Sequence, residues 1–170
     1  MERRNFIKNS IAGSLAASIP SVKDTDTAPP YNFKMNYAPH FGMFENAAGK
    51  DLVDQLKFMA DNGFRGLEDN GMLARTTEVQ NKIGDALVKL GMTMGVFVIE
   101  GGDNWKTSLA TGKKEFIDRF VDTCKKSVEL AKRVNAKWMT VVPGYFERNL
   151  PLDIQTANVI EALRRGADIL

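Results

Sequence analysis

The chain reads as apolar runs that change period. Leu52, Leu56, Met59 and Ala60 fall at i, i+4, i+7 and i+8, which makes one helical stripe. Asp51 stands where its carboxylate can accept from the unpaired N–H groups of a first turn, and Asn62-Gly63 is a stop that tolerates left-handed backbone. Residues 64–67 then read as a short strand, closed by the polar run Glu68-Asp69-Asn70-Gly71. Helical stripe, small break and apolar strand return over 79–90, Gly91 and 92–99, and again over 116–134, Asn135-Ala136 and 137–142. The breaks are unevenly spaced, so this is an irregular βα repeat and not a solenoid. Strands alternating with helices of this length imply an α/β fold: a parallel sheet with helices outside it.

The remaining pattern fills in around those units. Residues 33–38 are the first strand candidate, stopped by Pro39, which has no N–H for a ladder. Thr77-Glu78-Val79-Gln80 fits a capping box with Thr77 as the cap, and Val79, Ile83, Ala86, Leu87 and Leu90 form the stripe behind it. Residues 92–99 are almost continuously apolar, as expected of a strand buried on both faces. Glu100 ends that strand, and Gly101-Gly102 suit a turn or a close approach to a ligand. The long third helix places Phe116, Phe120, Cys124, Val128 and Ala131 on one stripe, so Cys124 reads as a buried, inert thiol. A strand over 138–142 ends at Pro143-Gly144-Tyr145. A fourth helix follows from Pro151 and Asp153, with Ile154, Ala157, Ala162 and Leu163 expected inward. Four βα units result, where a closed (β/α)₈ barrel needs eight strands. Three explanations stay open: a fragment, a chain that pairs with another such as a second copy in a homo-oligomer, or an open four-stranded sheet.

Composition narrows the class. The 170 residues are 44% hydrophobic and 26% charged with net charge +2, an ordinary globular balance that offers no basic patch for nucleic acid. One cysteine rules out an intrachain disulfide, and no apolar run reaches transmembrane length. Residues 1–30 read as separate from the fold at 31–170. Arg3-Arg4, Phe6, Ile7 and Lys8, followed by the weakly apolar 11–19, match a twin-arginine export signal, with Glu2 where Ser or Thr is usual. Periplasmic localisation is the expectation. No cysteine follows the apolar stretch, so no lipoprotein anchor is expected.

Candidate chemistry collects at strand ends, where the loops of parallel α/β folds converge. His40, the only histidine, sits just past the first strand in an aromatic loop. A lone histidine is more often structural than functional, but this position sets the two readings level. Glu68 directly ends a strand, with Asn70 two residues on; Glu68-Asp69 could equally be solvated loop charge. Glu100 repeats the placement on the next strand, and Tyr145 follows the last one, where packing or a lid competes with chemistry.

Residues 37–44 (Tyr-Ala-Pro-His-Phe-Gly-Met-Phe), 54–60 and 67–72 (Leu-Glu-Asp-Asn-Gly-Met) resemble the N-terminal half of the xylose isomerase-like TIM barrels, and specifically the hydroxypyruvate isomerase-like branch. Residues 91–99, 136–144 and 164–170 extend the resemblance over 31–170. It implies the first half of a (β/α)₈ TIM barrel and an aldose–ketose type isomerisation of a small carbohydrate or hydroxyacid. It also implies a divalent metal (Mg, Mn or Zn) that polarises the substrate oxygens, and carboxylate bases. In the family the metal ligands and principal bases come from later strands. No metal ligand and no catalytic residue is therefore carried over. His40, Glu68, Asn70, Glu100 and Tyr145 remain as a substrate-binding rim. Two other readings stand beside it. One is a truncated, non-functional fragment. The other is a metal-dependent endonuclease-like barrel, which the net charge, the single histidine and the export signal oppose.

Overall fold

The computed structural model describes residues 31–99 and 108–170. The Arg3-Arg4 segment and Glu100 lie outside the described residues. The chain is α/β, with helices α1 (Glu45–Ala48), α2 (Leu52–Asp61), α3 (Thr77–Lys89), α4 (Lys114–Val134) and α5 (Leu152–Ala167). The strands are short: β1 (Gly66–Leu67), β2 (Thr93–Met94), β3 (Val96–Val98) and β4 (Trp138–Thr140). β1 pairs with β2, and β3 with β4, all parallel. Only Gly95 separates β2 from β3, and its N–H donates to Leu67 O at 2.7 Å while Asp69 N–H donates to Val96 O at 3.3 Å. The two pairs therefore continue one another, and extended segments lie side by side in chain order. The expected strand over 33–38 is not there. Its place is taken by a single parallel bridge between His40 and Glu68, beyond Pro39. Proline explains the shift, because pairing toward β1 begins with the Pro39 carbonyl accepting from Glu68 N–H at 3.1 Å and needs no proline N–H.

Helices pack consecutively on one side, α2 on α3, α3 on α4 and α4 on α5. Leu67, Met94 and Phe97 from the strands meet Leu56, Met59, Ile83, Leu87, Leu130 and Val134 from the helices in the main core. A second cluster joins Ile117, Phe120 and Cys124 of α4 to Ala162 of α5. Asp51 caps α2 as the sequence predicts, its Oδ1 accepting from Val53 and Asp54 N–H at 2.9 and 3.0 Å. Gly63, at φ +87°, supplies the left-handed residue of the stop, while Asn62 stays right-handed. The α3 cap is Thr76 rather than Thr77, with its Oγ1 accepting from Val79 N–H. The Thr76 hydroxyl also contributes, after the Glu78 backbone N–H, to holding the Glu78 carboxyl below its ordinary value.

Three buried glutamines perform one job that the apolar pattern hides. Gln55, Gln80 and Gln155 each stand four residues past their helix cap and bond the backbone of the preceding loop. Gln55 accepts from Gly42 N–H at 2.7 Å and donates to Gly49 O at 3.0 Å. Gln80 donates to the carbonyls of Met72 and Arg75 and accepts from Arg133 Nε at 2.8 Å. Gln155 accepts from Glu147 N–H and donates to Glu147 O and Leu150 O. Each satisfies loop backbone that would otherwise be buried without a partner, so the loops leading into α2, α3 and α5 are fixed to the helix starts.

Two stripes run differently from the sequence reading. In α4 the buried set is Ile117, Phe120, Cys124, Ser127, Leu130 and Val134. Val128 is only half-buried because Ser127 takes the inward position, its hydroxyl donating back to Thr123 O at 2.8 Å. In α5, Ala162 is inward as expected, but Ile154, Ala157 and Leu163 are exposed, and Gln155 and Gly166 are buried instead. Small residues face α4 because Phe120 and Cys124 leave no room: a Cβ on Gly166 would lie 2.8 Å from the Phe120 ring.

Cys124 is fully buried, and burial pushes its thiol up to about 11 from an ordinary 9.0. The thiolate is the reactive form, so native Cys124 should resist thiol reagents at pH 8 and react only as fast as the chain unfolds. A folded-state value above the unfolded one also means that stability falls as pH rises from about 9 toward 11, where only the unfolded chain releases this proton. Rapid labelling of the native protein at pH 8 would contradict that environment.

Candidate functional site

The structure brings two of the proposed rim residues together. His40 and Glu68 follow adjacent parallel segments and form the bridge described above, which sets their side chains on the same side. His40 Nε2 lies 3.8 Å from Glu68 Oε1, with side chains 45% and 31% exposed. That separation is an open contact between two polar groups, wide enough for either to turn toward a ligand oxygen. The His40 N–H donates to Met43 Sδ at 3.3 Å, which folds the 39–44 loop back on itself.

Two residues before His40 and Glu68 on the same segments, Ala38 and Gly66 are small and closely apposed. A Cβ on Gly66 would lie 3.0 Å from Ala38 Cβ, and one on Gly95 would lie 3.5 Å from it. Toward the strand beginnings this face opens into a hollow of ≈ 500 Å³, bordered by Asn36, Thr93, Lys137 and the 71%-exposed Trp138. Composition at single positions gave no hint of this space. It follows from Ala38, Gly66 and Gly95 meeting across three neighbouring segments.

The other rim candidates fall differently. Asn70 is exposed on the turn after Glu68. Glu100 lies outside the described residues. Tyr145 is not beside the pair; it lines a separate hollow against α5 with Phe146, Leu152, Gln155 and Ile160. Its backbone carbonyl accepts from Ser108 Oγ at 2.5 Å, a packing role for the segment. Asp69, beside Glu68 in sequence, turns inward. Its Oδ2 accepts from Arg75 Nε at 2.5 Å and its Oδ1 from Gly71 N–H at 3.1 Å.

The resemblance places the ligands of its divalent ion on later strands, and the described residues add no cluster of their own. Among the described residues no three His, Cys, Asp or Glu side chains converge. His40 and Glu68 are two donors, Asp69 is committed to Arg75, and zinc or magnesium sites built by protein side chains draw on more. The pair can instead hold a hydroxylated ligand. A glutamate carboxylate accepts from hydroxyls, and an imidazole offers one donor and one acceptor when neutral. Among the described residues no helix is long and apolar enough to cross a membrane. No protein-family model matches the chain, and no curated protein or solved structure matches it either.

Proposed function

We propose that residues 31–170 form the first half of a (β/α)₈ barrel of the hydroxypyruvate isomerase-like type, and that His40 and Glu68 are part of the wall that positions a small carbohydrate or hydroxyacid. The observation that carries this reading is the 3.8 Å approach of His40 and Glu68 at the ends of adjacent parallel segments. In parallel α/β folds those ends are where ligands are held. Four parallel segments in chain order and helices packed consecutively on one side support the barrel reading. So does the row of exposed Leu152, Ile160 and Leu163 on α5, a side that a further βα unit would cover.

In this role Glu68 accepts from a substrate hydroxyl, and His40 donates to or accepts from a neighbouring oxygen. Asn70, on the same turn as Glu68, offers amide groups at the edge of the wall. These contacts orient the substrate; they do not supply a proton-transfer pair. The resemblance places the principal bases on later strands, so residues 31–170 should bind hydroxypyruvate with negligible turnover.

Calorimetric titration of the full chain with hydroxypyruvate tests the assignment. Glu68→Gln and His40→Ala should each weaken binding by about 1–3 kcal/mol, the worth of one lost hydrogen bond to a group left unpaired. Unchanged affinity in both variants would make the pair structural. Export is proposed on the match at residues 3–8. Replacing Arg3 and Arg4 by lysine should leave the protein in the cytoplasmic fraction, and undiminished periplasmic protein would refute it.

A further inference from the structure

We infer that Arg75 is a positioning residue that clamps the His40 loop to the Glu68 loop and so sets the geometry of the pair; this rests on the function proposed above. One planar guanidinium touches both loops. Its Nε donates to the Asp69 carboxylate, one residue beyond Glu68, at 2.5 Å. Its Cζ sits 5.2 Å from the centroid of the Phe41 ring, one residue beyond His40. The Asp69 side chain is 8% exposed and that of Arg75 is 26% exposed, so the ion pair is largely shielded from water.

Each anchor is itself fixed. Asp69 also takes the Gly71 N–H, and its own N–H reaches Val96 O in the sheet. Arg75 is held at its backbone, where its carbonyl accepts from Gln80 at 2.9 Å and its N–H donates to Met72 O at 3.2 Å. Phe41 leads into Gly42, whose N–H is held by Gln55. Arginine suits this position because its rigid plane stacks on a ring with one face while its edge meets a carboxylate; a lysine ammonium cannot do both in one fixed geometry. Arg75 touches neither His40 nor Glu68 in these contacts, so it acts on the pair only through Phe41 and Asp69.

The test uses the single histidine as a reporter. In the otherwise unaltered full chain at pH 7, Glu68→Gln should move the His40 ring resonances in a ¹H–¹³C spectrum, because the two side chains face each other. In an Arg75→Met background the same Glu68→Gln change should move those resonances less than half as far, since the Pro39–Glu68 hydrogen bond still joins the segments but the clamp no longer fixes the loops beyond it. Phe41→Leu is the second background. It breaks the stack while keeping the Asp69–Arg75 ion pair, so it serves even where Arg75→Met does not fold, and it should reduce the shift in the same way. Backbone resonances of α4 and α5 should stay where they are in both backgrounds, which a general loss of structure would not allow. A Glu68→Gln shift that keeps half its size or more in these backgrounds would overturn the clamp. Where the wild-type chain binds hydroxypyruvate, Arg75→Met should weaken it by between about tenfold and a hundredfold, the scale expected of a misplaced contact. It should add nothing in a His40→Ala, Glu68→Gln background. A wild-type chain that does not bind hydroxypyruvate would defeat the substrate assignment, and the resonance experiment would still decide the clamp.

Discussion

Phe97→Ala should lower the unfolding free energy by about 3–5 kcal/mol, the usual cost of emptying a buried aromatic site. Phe97 is fully buried in β3, facing the helix layer, and its backbone pairs with Met139 of β4. The segment that carries it also meets β1 through Gly95 and Val96. The ring therefore stands in the core between the parallel segments and the layer of α2, α3 and α4. Urea denaturation followed by circular dichroism gives the value directly. A loss under about 1 kcal/mol would place Phe97 near the surface and would contradict the arrangement of the core.

Gly84→Ala should also destabilise, by about 1–3 kcal/mol, although the change improves intrinsic helix propensity by up to about 1 kcal/mol. Propensity and packing oppose one another here, so the sign of the result is informative. A Cβ at Gly84 would lie 2.2 Å from the Arg133 carbonyl oxygen and 3.4 Å from Val134 Cα. Those atoms are backbone of α4 and cannot swing aside as a side chain could. Either α3 and α4 separate, or α3 twists, and in both cases the Gln80–Arg133 hydrogen bond that ties the same two helices is stretched. The loss should appear as a lower urea midpoint at an unchanged slope. A stabilised variant would mean that the two helices do not approach so closely.

The alternation of α2 to α5 with β1 to β4 was legible in the sequence because the period of the apolar positions changes from helix to strand, whereas the single turn of α1 was not. Asp51 and Gly63 were legible because a cap and a left-handed stop have few chemical solutions. The His40–Glu68 approach was legible only as placement: each follows a strand candidate, and parallel neighbours put such residues on one edge. The structure keeps that placement while removing the first strand, since one bridge at His40 does the work expected of residues 33–38.

What sequence reading missed shares a physical cause. Gln55, Gln80, Gln155 and Ser127 are polar residues on inward faces, and each is buried because its hydrogen bonds are met locally or by a loop. An apolar count rejects such positions, so the α4 stripe was displaced toward Val128. A usable signal existed: glutamine recurs four residues after Asp51, Thr76 and Pro151. On α5 the error ran the other way. Ile154 and Leu163 are apolar and exposed: nine residues apart, they stand on opposite flanks of the buried stripe of Gln155, Ala162 and Gly166.

The most direct measurement is the set of cross-strand nuclear Overhauser effects in the ¹⁵N,¹³C-labelled chain. Parallel segments in chain order predict contacts of 39–40 with 68, of Leu67 with Met94, and of Phe97 with Met139, with the His40 ring close to the Glu68 side chain. The Glu68 amide should exchange slowly, because it is bonded to Pro39 O. Antiparallel contacts among these segments, or a His40 ring with no contact to Glu68, would contradict both the fold and the site built on it.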